Sequence, residues 1–259
     1  MKYIIILFCY LLPLTISARK DRIYIANPTV LLSEKDAILI LPGFGSKIQG
    51  TQKIADYFFN KNYDVFIPDY ISRKSIAGCV KNLDVFITKH SLKKYRKIYV
   101  FSYIVGSWTL NNWIINNPEN NISAVVYDRS PLQERAPYAL VKDIPILIKM
   151  ISGKVMKEFS KTPYPSVSNQ KMKVAIIIES KATNLLSQHK KSAMSLGPIS
   201  WDAEKLNQNY HDKFYTWLNH DDMYTRFDIT GSEILYFFSN SKFTDSAKRE
   251  PYLEDPFIK

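Results

Sequence analysis

Cysteine is scarce in this sequence: 259 residues hold two, Cys9 and Cys79. Cys9 falls in an apolar N-terminal run that reads as a removable segment. Cys79 is then the only thiol of the mature chain, no internal disulfide can form, and stability must come from a packed core. Cys79 lies in an apolar helical pattern (Ile76, Cys79, Val80, Leu83) that reads as a buried structural thiol. No apolar run reaches the roughly 20 residues of a membrane span. There are no internal repeats, no Walker loop and no G-x-G-x-x-G segment, so no cofactor is expected. His211-Asp212 and His220-Asp221-Asp222 match no zinc or calcium loop, so no metal is expected either.

What the chain does have is apolar mass: 46% of residues are hydrophobic and 14% aromatic. Its length suits one large α/β domain, and nothing in the composition points to disorder. The formal charge is +11; removing residues 1–18 takes away Lys2 and leaves +10. The basic residues are scattered (Lys93-Lys94-Arg96-Lys97, Lys171-Lys173, Lys190-Lys191, Lys248-Arg249) and do not interleave with aromatics in the pattern of a nucleic-acid module, so no nucleic-acid partner is expected. They make a solvated basic surface, with attraction to an anionic envelope surface as the sharper reading. No feature identifies a protein partner.

Residues 1–18 stand apart. Met1-Lys2 is a short positive start, Tyr3 to Ile16 is nearly all apolar, and Ser17-Ala18 supplies small residues before a charged stretch. That order describes a secretory signal peptide, with an uncleaved anchor as the alternative. The expected location is secreted, periplasmic or envelope-bound, and the expected folded part is a single domain over 19–259.

The remainder alternates strands with helices, which predicts a mostly parallel sheet with helices on both faces. Short strands are expected at Arg22–Ala26 and Thr29–Leu32, and a buried central strand at Ala37–Leu41. A loop, Pro42-Gly-Phe-Gly-Ser46, separates that strand from a helix over Gln49–Asn60. Then come a strand at Asp64–Pro68 and a long amphipathic helix at Lys74–Leu92. Ile98–Phe101 and Ile122–Tyr127 flank a helix over Gly106–Asn116. The alternation lapses over 131–170, which holds helical segments at Tyr138–Ile151 and Lys154–Ser160 and reads as a small lid insertion. Val174–Ile178 resumes the sheet, 181–212 is helix and loop, Phe214–Leu218 is the last strand, and Ser232–Asn240 closes the fold.

The stretch from Ile98 to Thr109 is a buried strand that breaks directly into a helix with small residues at the bend. Small-x-nucleophile-x-small is the pattern of a nucleophile elbow, and Ser102 and Gly106 fill its small positions. With Pro42–Gly45 before it, a lid after it and a late histidine before a closing helix, the chain resembles the α/β-hydrolase fold of esterases, lipases and peptidases. The resemblance covers roughly residues 35–240.

That resemblance implies roles position by position. Phe44 and Val105 would supply oxyanion-hole amides. His220 would be the triad histidine. The nucleophile position falls on Ile104, which has no attacking atom, and no other register of the elbow fits. Three carboxylates compete for the acid: Glu179 at the end of its strand, Asp128 at the end of the preceding one, and Asp222 next to the histidine. A β-branched residue is poorly suited to the positive φ of an elbow, so either Ile104 is strained or the turn has relaxed. The expected function is that of a protein lacking serine chemistry that binds a small apolar or acyl ligand or a partner. The alternative is an active carboxyl-ester hydrolase that pairs His220 with a non-standard nucleophile.

Overall fold

The computed structural model describes residues 20–46, 48–167 and 171–258. Residues 1–18, where a signal peptide is expected, lie outside them. Seven strands form one sheet in the order β1-β3-β2-β4-β5-β6-β7. They are β1 (Arg22–Tyr24), β2 (Asp36–Leu41), β3 (Asp64–Ile67), β4 (Lys97–Ser102), β5 (Ile122–Arg129), β6 (Lys173–Glu179) and β7 (Asp212–Thr216). Only β1 runs antiparallel to its neighbour.

Side-chain alternation along each strand divides the core into two layers. Ala37, Leu39 and Leu41 of β2 face one side with Ile98, Val100, Val125 and Tyr127. Helices α2 (Ile76–Lys89) and α3 (Ile104–Asn116) cover that side. Ile38, Ile40, Tyr99, Phe101, Ala124 and Val126 face the other. There they meet α1 (Ile48–Phe59) and α10 (Phe227–Asn240). Burial on both faces explains why β2 reads as an unbroken apolar run.

Three expectations are corrected. Thr29–Leu32 is not a strand: Pro28 sets a turn in which the Val30 amide bonds to the Asn27 carbonyl, and a 3-10 turn follows at Leu32–Glu34. The single helix expected over Tyr138–Ile151 is two, α4 (Ala136–Asp143) and α5 (Pro145–Ser152), because Pro145 cannot continue the first. The closing helix starts at Phe227, earlier than Ser232, because Phe227 packs between Tyr57 and Phe58 of α1. Helix α6 (Val155–Phe159) completes the segment between β5 and β6. After β6 come the short helices α7 (Asn184–Gln188) and α8 (Lys190–Met194), and after β7 comes α9 (Asp222–Thr225). Cys79 is fully buried, as its pattern predicts.

Candidate functional site

Strands β3 and β4 lie on opposite sides of β2, so the loops leaving β2 and β4 diverge and open a crevice at the carboxyl end of the sheet. Strands β5, β6 and β7 end beside it in sequence. Asp128 is the penultimate residue of β5, Glu179 is the last of β6, and His220 follows β7 and precedes α9.

These three side chains come together. His220 Nδ1 lies 2.8 Å from Glu179 Oε1 and 3.7 Å from Asp128 Oδ2. Both carboxyl groups are wholly buried and the histidine is nearly so. Asp222 takes no part: its carboxylate accepts from the Asn219 amide at the start of α9. The other histidines lie elsewhere, His211 accepting from the Val174 amide and His189 paired with Asp143.

Burial pushes the Glu179 carboxyl up to about 8, and the charges of Glu134, Asp221 and Asp222 add to this while Asp128 opposes it. Burial, and then the charge of Glu179, hold Asp128 well above the usual carboxylate range, with His220 pulling the other way. Burial lowers the His220 pKa, against the attraction of Asp128 and Asp221. At neutral pH the imidazole is therefore neutral, and the carboxyl pair retains a proton. The retained proton lets Asp128 and Glu179 hydrogen-bond to each other; no other described group bonds to the Asp128 oxygens. One ligand atom from each of Asp128, Glu179 and His220 lies within 4.8 Å of the others, a set that could hold a metal ion. Two carboxylates and an imidazole would suit a divalent transition ion. With Nδ1 already bonded to Glu179, however, the arrangement reads as a carboxylate–imidazole pair backed by a second carboxyl group.

The bend between β4 and α3 is closely packed and unstrained. Gly106 remains necessary: a Cβ there would lie 2.6 Å from the Leu41 carbonyl and 2.7 Å from Ser102 Oγ. Yet Ile104 is the first residue of α3, after an extended Tyr103 (φ −73°, ψ 166°), and is not among the residues with positive φ. The turn has relaxed, which resolves the alternative left by the sequence. Ile104 and Val105 are both buried in the core layer beneath α2 and α3. Phe44 packs against the same layer and meets Phe159 of α6 edge-on at 6.0 Å. Phe159 also meets Trp108 edge-on at 6.1 Å, so α6 covers the elbow helix with aromatic rings.

Tyr224 escaped the sequence reading, and it joins Gly43 and Tyr103 at this site. Gly43 lies so close to His220 that a Cβ would be 3.1 Å from Nε2 and 3.3 Å from the Tyr224 hydroxyl. The Gly43 amide donates to the Tyr224 hydroxyl at 2.7 Å. Tyr224 stacks on Tyr103 with ring centroids 3.9 Å apart, and both rings stand edge-on to His220 at 5.7 Å. One signal was available: Tyr224 is only four residues after His220.

Next to this pair is a buried cation. Arg129 forms a two-point contact with Glu134, donates from Nη2 to the Leu206 carbonyl at 3.1 Å, and lies 3.6 Å over the Tyr164 ring. Burial opposes its charge, but Glu134 more than offsets this and keeps it protonated.

The sequence matches no protein-family model and no curated protein. The fold is similar to that of solved enzymes. A putative aryl esterase from Burkholderia cenocepacia has a TM-score of 0.52 and 12% identity, covering 81% of this chain and 92% of that one. A lipase from Bacillus licheniformis has a TM-score of 0.51 and 14% identity, covering 82% and 98%. An α/β-hydrolase enzyme from the sediment metagenome of the Mar Chica lagoon in Morocco has a TM-score of 0.50 and 16% identity, covering 85% and 96%. The chain therefore has the α/β-hydrolase fold: a mostly parallel seven-stranded sheet clothed by helices, shared with esterases and lipases. At these identities the likeness is one of fold alone.

Proposed function

We propose that this protein is a secreted α/β-hydrolase-fold protein without serine-hydrolase catalysis, whose covered elbow region binds a small apolar or acyl ligand or a partner. The observation that carries the reading is Ile104: an aliphatic side chain, packed in the core at a relaxed helix start, stands at the nucleophile position. Loss of a serine nucleophile costs about 10⁶ in rate, and an oxyanion hole with binding leaves only about 10³–10⁴ over water. The Tyr224 hydroxyl on the Gly43 amide and the rings of Phe44, Trp108 and Phe159 fill space that an ester would need. The described part of the segment between β5 and β6 then acts as a lid, with Phe159 set against Phe44 and Trp108. Secretion rests on residues 1–18, and the mass of the mature chain tests it.

A fluorophosphonate probe with a p-nitrophenyl ester assay tests the main reading. Neither labelling nor turnover is expected, and robust labelling of the wild-type chain would refute it. The His220–Glu179 contact favours a second reading, an active carboxyl-ester hydrolase with a non-standard nucleophile. The Tyr224 hydroxyl and His220 Nε2 both border Gly43, and label recovered on Tyr224 would establish this reading.

A further inference from the structure

Helix α5 is apolar on two faces. Its inner face is anchored: Ile148 and Ser152 are buried, Arg73 Nη2 donates to the Met150 carbonyl at 2.5 Å, and the Lys154 amide donates to the Arg73 carbonyl at 2.8 Å. Gly153 at φ 66° lets the chain pass so close to Arg73 that no Cβ would fit. The outer face should then be polar, as on an ordinary surface helix. Instead Ile146 is 76% exposed, Met150 59% and Ile151 43%. Ile146 and Met150, four residues apart, form one protruding ridge.

The charges around this ridge have one sign. Lys149, Lys154 and Lys157 are exposed, and none forms an ion pair with a described residue. The two nearby acids are already partnered, Asp143 while itself exposed. Asp143 is engaged by His189 and Ser192, and Glu158 accepts from the Ile76 amide. A short apolar ridge within an uncompensated basic rim matches an anionic lipid surface, where the apolar tips enter the acyl boundary and the lysines meet headgroup phosphates. A protein partner would need a broader surface, with acids opposite these lysines.

We infer that the outer face of α5 docks the protein on anionic membrane surfaces through Ile146 and Met150, with Lys149, Lys154 and Lys157 as its electrostatic rim. The inference is independent of whether the buried site turns anything over.

Co-sedimentation of the full chain with phosphatidylglycerol–phosphatidylcholine vesicles, against pure phosphatidylcholine, tests it. Because residues 1–18 are common to every variant, differences report on α5. The expected result is stronger binding to the anionic vesicles. I146N/M150N should weaken that binding about tenfold or more. K149E/K154E/K157E should weaken it about a hundredfold. The control K93E/K94E/K97E, on another face, should leave most of it. In I146W, the difference spectrum against the parent should shift to the blue only with anionic vesicles. The inference is overturned if the α5 variants bind as the parent does, or if the control loses as much as K149E/K154E/K157E. It is also overturned if I146N/M150N abolishes self-association while vesicle binding is unchanged, since the occupant is then a second copy of the chain.

Discussion

His220 Nδ1 sits 2.8 Å from Glu179 Oε1, with Asp128 3.7 Å away on the same nitrogen. The acid partner of the histidine is thus present, at the end of β6 and not in the loop after it.

This pairing sets a pH dependence of stability. Glu179 titrates near 8 in the folded chain and in the ordinary carboxylate range when unfolded. Between those values the folded state binds more protons, so stability falls as pH rises and levels off above about 8. Asp128 acts in the same sense. His220, with its pKa lowered, acts in the opposite sense, and only below its unfolded value of about 6.5. Urea denaturation should show stability falling from pH 6.5 to 8.5, by about 1.4 kcal/mol per unit at most from one group. Glu179→Gln should flatten that slope; an unchanged slope would contradict the assignment.

Restoring a hydroxyl should not by itself restore chemistry. With Glu179 in place, the acid no longer limits Ile104→Ser. What remains is the relaxed turn and the aromatic cover from Phe159. The single variant is expected to stay unlabelled by fluorophosphonate. Adding Phe159→Ala and Tyr224→Phe, which clear the cover and free the Gly43 amide, should raise labelling above it. Strong labelling of Ile104→Ser alone would mean that the elbow geometry survives.

Glu134→Ala should be among the most damaging single changes. It leaves the Arg129 guanidinium buried without its carboxylate, at a cost of about 3–5 kcal/mol. Chemical denaturation measures this directly. Glu134→Ala with Arg129→Leu should recover part of the loss, because the uncompensated charge is then gone.

Gly106→Ala tests the close approach of α3 to β2. The new methyl would meet the Leu41 carbonyl, a backbone atom that cannot swing aside, so a loss at the upper end of about 1–3 kcal/mol is expected. Gly197→Ala has open space but a φ of +96° and should lose less. Equal losses would show that the α3–β2 contact carries no special weight.

The sheet was legible because its evidence is local. Ala37–Leu41, Ile98–Phe101 and Val174–Ile178 are apolar runs of strand length, and each lies within a strand of the structure. Pro28 and Pro145 redirected neighbouring segments through backbone constraints that apolar spacing does not register. Along the chain Glu179, Asp128 and Asp222 were equivalent carboxylates near a late histidine. Only the order of β5, β6 and β7 set two of them against His220 and turned Asp222 to the start of α9.

The sequence by itself determined that a strand ends near Ser102, that a helix follows, and that no hydroxyl stands at position 104, because strand length, helix spacing and residue identity are properties of short segments. Only the tertiary structure decided that the turn is relaxed, that Tyr224 engages the Gly43 amide and that Glu179 holds His220. Those relationships join residues 41 to 181 positions apart, and their distances are fixed by sheet order and by packing across the two core layers.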